Sequence, residues 1–130
     1  MTLGKAKGVD VTVIKVTTPK GIKYGPQAKS GETLVIVGYR LKNTADKPLS
    51  LLERPAFALI DAQGQRYNPD DFITASAGVE VAAQNSFVAD INPNTSIDGR
   101  VAWKLDATAF DRNTWKLVVA GDPQLTFALK

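Results

Sequence analysis

Apolar residues recur at every second position over most of this 130-residue chain, the period of a strand with one face in a core. The longest such run is GETLVIVGYRLKN, residues 31–43. Val35, Val37, Tyr39 and Leu41 share one face, and Leu34, Ile36, Gly38 and Arg40 share the other. The first face is apolar throughout. The second begins apolar and ends polar, as in a central strand that leaves a core at one edge. Gly38 predicts a bulge or a close neighbour such as an aromatic ring over the backbone.

Before this run, DVTVIKVTT (10–18) alternates with both faces part apolar, which predicts an inner strand end or a strand that switches sheets. The intervening TPKGIKYGPQAKSGE (18–32) is dense in Pro, Gly and Lys and reads as a long loop, with Ile22 and Tyr24 available to pin it. After it, NTADKP (43–48) is a turn. Asn43 keeps the strand parity of Leu41, so its amide is expected to bond backbone groups of that turn. FALIDAQGQRY (57–67) has the form of a hairpin around Ala62-Gln63-Gly64. NPDDFITA (68–75) is the one good helix start, with Asn68 as N-cap, Pro69 at N1, and Asp70 and Asp71 in the first turn; Gly78 is its natural stop. Residues 80–97 read as a mixture of short strand and loop. GRVAWKL (99–105) alternates cleanly, and WKLVVAG and QLTFALK close the chain as two more strands.

These elements give about seven strands and no alternating strand–helix pattern. The predicted fold is an all-β, immunoglobulin-like β-sandwich with one short helix, formed by residues 1–130 as a single domain, with residues 1–9 as a flexible arm.

Composition narrows the chemistry. The chain has neither cysteine nor histidine, which excludes disulfides, thiolate metal sites, cysteine nucleophiles and His-based triads, and removes the usual neutral-pH acid–base group. Scattered aspartates show no D-x-D-x-D-G loop, and no G-x-S-x-G or S-x-x-K marks a serine nucleophile. No metal, no cofactor and no catalytic residue is expected. Residues 1–30 carry six lysines (5, 7, 15, 20, 23 and 29) against Asp10, a net +5, whereas the remainder is weakly acidic. A solvated strand face explains this, and contact with a peripheral anionic surface is the sharper alternative. The aromatic-interleaved basic pattern of a nucleic-acid binder is absent. So is any apolar run of membrane-spanning length, and no signal-peptide core follows Met1.

Three segments carry a family resemblance: LVIVGYRLKNTADKPL, ALIDAQGQRYNP and PNTSIDGRVAWKLD. In this order the chain resembles the DUF4352 family, immunoglobulin-like domains related to a mycobacterial immunoprotective secreted antigen. The matching positions are Asn43, Asp61, Gly64, Tyr67, Gly99 and Trp103. The family's Pro-Gly ahead of the last motif is replaced here by NPNTS, and its usual Phe is Trp103. The family's function is unknown, so the resemblance brings no catalytic or ligand residues. It implies an exported bacterial protein, extracellular or in the cell envelope.

The functional expectation is a non-catalytic interaction module whose partner is a protein or a cell-surface polymer. The alternative is a small-ligand or polysaccharide-binding domain, with a carboxylate hydrolase a distant third. Trp103 is expected in the core. Tyr24, Tyr67 and a partly exposed Trp115 are the candidate contact residues, with Lys20 and Lys23 beside them.

Overall fold

The computed structural model describes residues 2–23, 25–79 and 90–130. Two four-stranded antiparallel sheets face each other. The first has the order β1-β2-β3-β6, from β1 (Thr2–Ala6), β2 (Val9–Thr17), β3 (Glu32–Asn43) and β6 (Ser96–Asp106). The second has the order β5-β4-β7-β8, from β4 (Phe57–Ile60), β5 (Arg66–Tyr67), β7 (Lys116–Val119) and β8 (Leu125–Ala128). Helix α1 (Asp71–Ala77) and a 3-10 turn (Leu51–Glu53) complete the elements. The predicted β-sandwich with one short helix is therefore the fold.

The core lies between the sheets because each strand turns its apolar parity inward. Val35, Val37 and Leu41 of β3 and Val101, Trp103 and Leu105 of β6 meet Phe57, Leu59, Leu117, Val119 and Phe127 from the opposite sheet. Burying one such side chain contributes about 1.5–3 kcal/mol, so these positions dominate stability.

The mixed faces of residues 10–18 have a local cause that differs from the expected sheet switch. The β2–β3 register runs Val13↔Tyr39 and then Lys15↔Gly38, which leaves Ile14 as an extra residue. This bulge inverts the parity of the strand. Val9, Val11 and Val13 are buried ahead of it, and Val16 packs on the same core after it. The bulge foreseen at Gly38 thus lies on the partner strand, opposite that glycine.

The outer face of the first sheet is also covered in part. Leu34 and Ala102 are fully buried there beneath Ile73 and Ala77 of α1, with Ile22 and Ala28 of the 18–31 loop at the margin. That cover is why the second face of β3 begins apolar.

Two expectations need correction. From Thr2 to Ala6 the arm expected over residues 1–9 is the edge strand β1, in register with β2 from Thr2↔Val13 to Ala6↔Val9. Gly4 lies so close to the Phe127 ring that an added Cβ would come within 2.7 Å of it. With β1 the described strands number eight. The helix also starts two residues later than expected. Asp70 is the N-cap and its carboxylate accepts from Ile73 N at 2.9 Å, while Asn68 and Pro69 precede the helix. The mixed reading of residues 80–97 falls largely outside the described residues; from Asp90 onward, Ile91 bridges to Leu49 and β6 begins at Ser96.

Candidate functional site

The residues singled out in the sequence are mostly scaffold. Asn43 is fully buried at the end of β3. Its Nδ2 donates to the carbonyls of Lys47 (2.7 Å) and Ile91 (2.8 Å), and its Oδ1 accepts from Ala45 N at 2.9 Å. The amide is satisfied within the turn, as expected of a buried polar group.

Asp61, Gly64 and Tyr67 form one unit. Asp61 Oδ1 accepts from the Gln63 and Gln65 amides, each at 2.9 Å, and Oδ2 accepts from Tyr67 Oη at 2.9 Å. Gly64 takes φ of 82°, the left-handed conformation that closes this hairpin. Burial alone would raise the Asp61 pKa, but the hydrogen bonds from Gln65, Tyr67, Gln63 and Gly64 together hold it below the ordinary carboxylate value. The same carboxylate raises the Tyr67 pKa, since the hydroxyl must stay protonated to donate.

Tyr67 and Trp115 do come together, with ring centroids 4.6 Å apart in a stack, and Phe110 meets Trp115 edge-on. Their meeting place is the core. Trp115 is only 4 % exposed, which corrects the expectation of a loop-end contact residue. Trp103, as expected, is buried, and its Nε1 donates to Tyr67 O at 2.9 Å across the sandwich. Tyr24 lies outside the described residues. Lys20 and Lys23 are exposed on the 18–31 loop, and Lys23 borders a secondary groove between that loop and α1. Among the described members of the expected patch, the aromatic pair lies in the core and the two lysines lie on the 18–31 loop.

A different set of described residues frames an open cleft of about 660 Å³. One wall is β6 from Ile97 to Val101. The others are residues 54–57 leading into β4, the Arg66–Pro69 segment, and the Asp71, Thr74, Ala75 and Gly78 face of α1. Thr74 fixes the helix against the strand: its hydroxyl accepts from Ala102 N at 3.0 Å, and Asp70 N donates to Ala102 O at 2.9 Å. The floor is Tyr39, which packs on Phe57 with centroids 4.5 Å apart.

Three arginines are among the described residues that line this space: Arg54, Arg66 and Arg100. Arg100 Nη1 donates to Ala77 O at 3.1 Å, at the end of α1 where carbonyls lack helical partners. Arg54 is partly buried, and that burial lowers its pKa from the ordinary value, with Tyr39 and Asp90 nearby acting in the opposite sense. Burial also raises the Tyr39 pKa, opposed by Arg54. Arg66 is exposed, with Nε 3.4 Å from Asn68 Oδ1. Among the described residues, the carboxylates that line the cleft are Asp71, in the first turn of α1, and Asp98. Arg40 holds Asp98 through two bonds, Nε to Oδ1 at 2.7 Å and Nη2 to Oδ2 at 3.1 Å. Among the described residues no three metal-ligating side chains gather, and no helix is long and apolar enough to cross a membrane.

Sequence reasoning missed these arginines. They come from three separate segments, Arg66 exposed and Arg54 and Arg100 partly buried, and none belongs to a sequence motif. Only the fold brings them to one rim.

Comparison with known proteins agrees with this architecture. A family model described as a domain of unknown function, DUF4352, matches residues 4–122. The uncharacterized protein YxkC of Bacillus subtilis is 34% identical over 122 residues, which covers 91% of this chain and 68% of that protein. A conserved hypothetical protein from Bacillus anthracis has a similar crystal structure, with a TM-score of 0.81 at 21% identity, covering 99% of this chain and 92% of the other. An uncharacterized beta-sandwich protein from Clostridium difficile matches at a TM-score of 0.61 and 12% identity over 99% of this chain and 90% of its own. A candidate lipoprotein of Bacillus subtilis, YcdA, matches at 0.66 and 17% identity over 97% of this chain and 37% of that one.

Proposed function

This chain belongs to the DUF4352 family, and from that membership and the cleft beside β6 we propose that it is a non-catalytic interaction module of the bacterial envelope. The observation that carries the reading is the cleft itself, about 660 Å³ of open space walled by β6, α1 and the approach to β4, with Arg54, Arg66 and Arg100 on its lining. Concave sites with mostly apolar walls and a few convergent polar groups are where proteins hold partners. A binding role suits the carboxylates better than a catalytic one. Asp98 gives both oxygens to Arg40, and Asp71 complements the positive end of α1, so neither is placed as an acid–base pair. Envelope location is supported by the candidate lipoprotein that shares this fold.

One observation favours a second reading, a small-ligand or polysaccharide site: the volume of the cleft falls within the roughly 300–1,000 Å³ usual for small-molecule pockets.

The test uses the full chain, fluorescently labelled, and envelopes prepared from its source bacterium. Ala75 is exposed on the α1 face toward the cleft, so Ala75→Trp fills the space without entering the core. Retention of the wild-type chain, with retention lost in Ala75→Trp at an unchanged melting temperature, supports the proposal. A wild-type chain that is not retained overturns the envelope role; equal retention of both overturns the cleft as the site.

A further inference from the structure

Apart from the cleft, we propose that the outer face of the first sheet docks a linear polymer of phosphodiester-linked units, the chemistry of an anionic cell-wall polymer. Strand register assigns the face. Val35, Val37 and Leu41 of β3 point into the core, so Leu34, Ile36, Gly38, Arg40 and Lys42 point away from it. Their partners share that face: Lys15 lies opposite Gly38, Thr17 opposite Ile36, and Lys104 opposite Leu34. The 18–31 loop lies on the same side, because Leu34 N donates to Pro19 O at 3.1 Å and Ile22 and Ala28 pack against Leu34 and Ala102. It adds Lys20 and Lys29, both exposed.

Charge complementarity selects the occupant. Asp98 on this face is held by Arg40, and Asp10 lies 3.7 Å from Lys5. Among the described residues, Lys15, Lys20, Lys29, Lys42 and Lys104 form no ion pair. The face's other carboxylates, Glu32 and Asp106, are opposite one another at one end, so the surplus field is positive. Ammonium groups act as point charges, which suits phosphate oxygens. From Lys42 to Lys104 the strip runs about eight residues along β3, roughly 26 Å, enough for several phosphates of one chain. Its centre is open: a Cβ added at Gly38 would meet only Lys15 O, at 3.8 Å. Two other phosphate carriers suit the face less. The outward positions of these four strands hold no aromatic side chain on which a base could stack. Among the described residues, Leu3 is the one well-exposed large apolar side chain that the sheet's strands offer a bilayer.

Titration of the fluorescently labelled full chain with poly(glycerol phosphate) tests this. Saturable binding is expected that weakens about tenfold as salt rises from 50 to 300 mM. Monomeric glycerol phosphate, matched in phosphate, is expected to bind at least tenfold more weakly, because one unit engages few lysines. Lys15→Glu and Lys104→Glu should each weaken polymer binding at least fivefold at an unchanged melting temperature. Lys116→Glu makes the same charge change on the outward side of the second sheet, next to core Leu117, and should leave binding unchanged. Absence of binding, or indifference to Lys15→Glu and Lys104→Glu, overturns the proposal. An equal loss in Lys116→Glu overturns it too, as the response then follows net charge. Tighter binding of phosphatidylglycerol vesicles or of oligothymidylate, matched in phosphate, overturns the polymer in favour of a membrane or a nucleic acid. Ala75→Trp, in the cleft, should bind the polymer as wild type does; a loss there moves the polymer into the cleft and overturns the outer face.

Discussion

Tyr39 of β3 lies across its register partner Gly99 of β6, so close that a Cβ added at Gly99 would sit 2.6 Å from the tyrosine Cζ. The pair builds the floor of the cleft, since both residues line it and Tyr39 also packs on Phe57. Gly99→Ala must displace the ring. The expected cost is about 1–3 kcal/mol by urea denaturation, typical of overpacking. Gly64→Ala, at a positive φ with open space around it, serves as a comparator in which backbone strain alone acts. If Gly99→Ala melts like wild type, the ring is not held over the glycine.

Asn43→Ala removes a fully buried amide that serves three backbone groups. Leaving such groups without partners costs about 1–3 kcal/mol each, so a loss of at least about 2 kcal/mol is expected. Asn43→Asp keeps an acceptor for Ala45 N but aims a carboxylate at two carbonyls. Its stability should therefore be worse at pH 7 than at pH 3, after correction for the wild-type profile.

Stability should fall at both ends of the pH scale and stay flat between. Asp61, Asp106 and Glu53 all have carboxyl pKa values held below their ordinary ones; for Asp61 the opposing burial is outweighed by its hydrogen bonds, and for Asp106 and Glu53 the leading causes are bonds with Thr108 and Ser50. A depressed folded pKa stabilises the protein above the unfolded value. The contribution shrinks as pH drops below about 4 and is gone once pH passes the folded value. Tyr39 is raised by burial and Tyr67 by its bond to Asp61, so their contributions persist below about pH 10 and are lost as pH rises through the folded values. With no histidine in the chain, chemical denaturation should give a plateau from about pH 5 to 9. Asp61→Asn should flatten part of the acid limb; an unchanged acid limb would remove Asp61 from this account.

Deleting residues 1–6 separates a strand from an arm. Loss of β1 exposes the β2 edge and the Phe127 ring beside Gly4, so Tm should drop by roughly 5 °C or more. A dispensable arm would leave it unchanged.

Trp103→Phe restores the residue type of the family pattern but cannot donate to Tyr67 O. The expected penalty is about 1–3 kcal/mol for an acceptor left without its donor and a smaller ring in the space. Trp115, whose contacts are ring stacking, should tolerate Phe better.

The sandwich was legible in the sequence because alternation acts locally: Val35, Val37 and Leu41 declare their face without knowledge of a partner. Turn chemistry was legible for the same reason at Asn43, Asp61 and Gly64. Where the reading failed, the deciding interaction was distant. TLGKA carries too little alternation to read as a strand, and only Val9–Val13 and Phe127 make it one. Asn68 and Asp70 are both good caps, and the bond between α1 and Ala102 decides between them. Trp115 looked like a loop end because its stacking partner Tyr67 is far away in sequence. The cleft was invisible because arginines on separate segments look alike until the chain is folded.

Asn43 also acts as a checkpoint on strand pairing. Slipping β3 by one residue would carry its amide away from carbonyls supplied by Lys47, four residues on, and Ile91, forty-eight residues on. The hydrophobic face would invert in the same movement. Leucine at this position would leave that inversion as the penalty for a slip; asparagine adds the loss of its hydrogen bonds to it. The residue that closes the turn therefore selects which alignment of the chain is the native one.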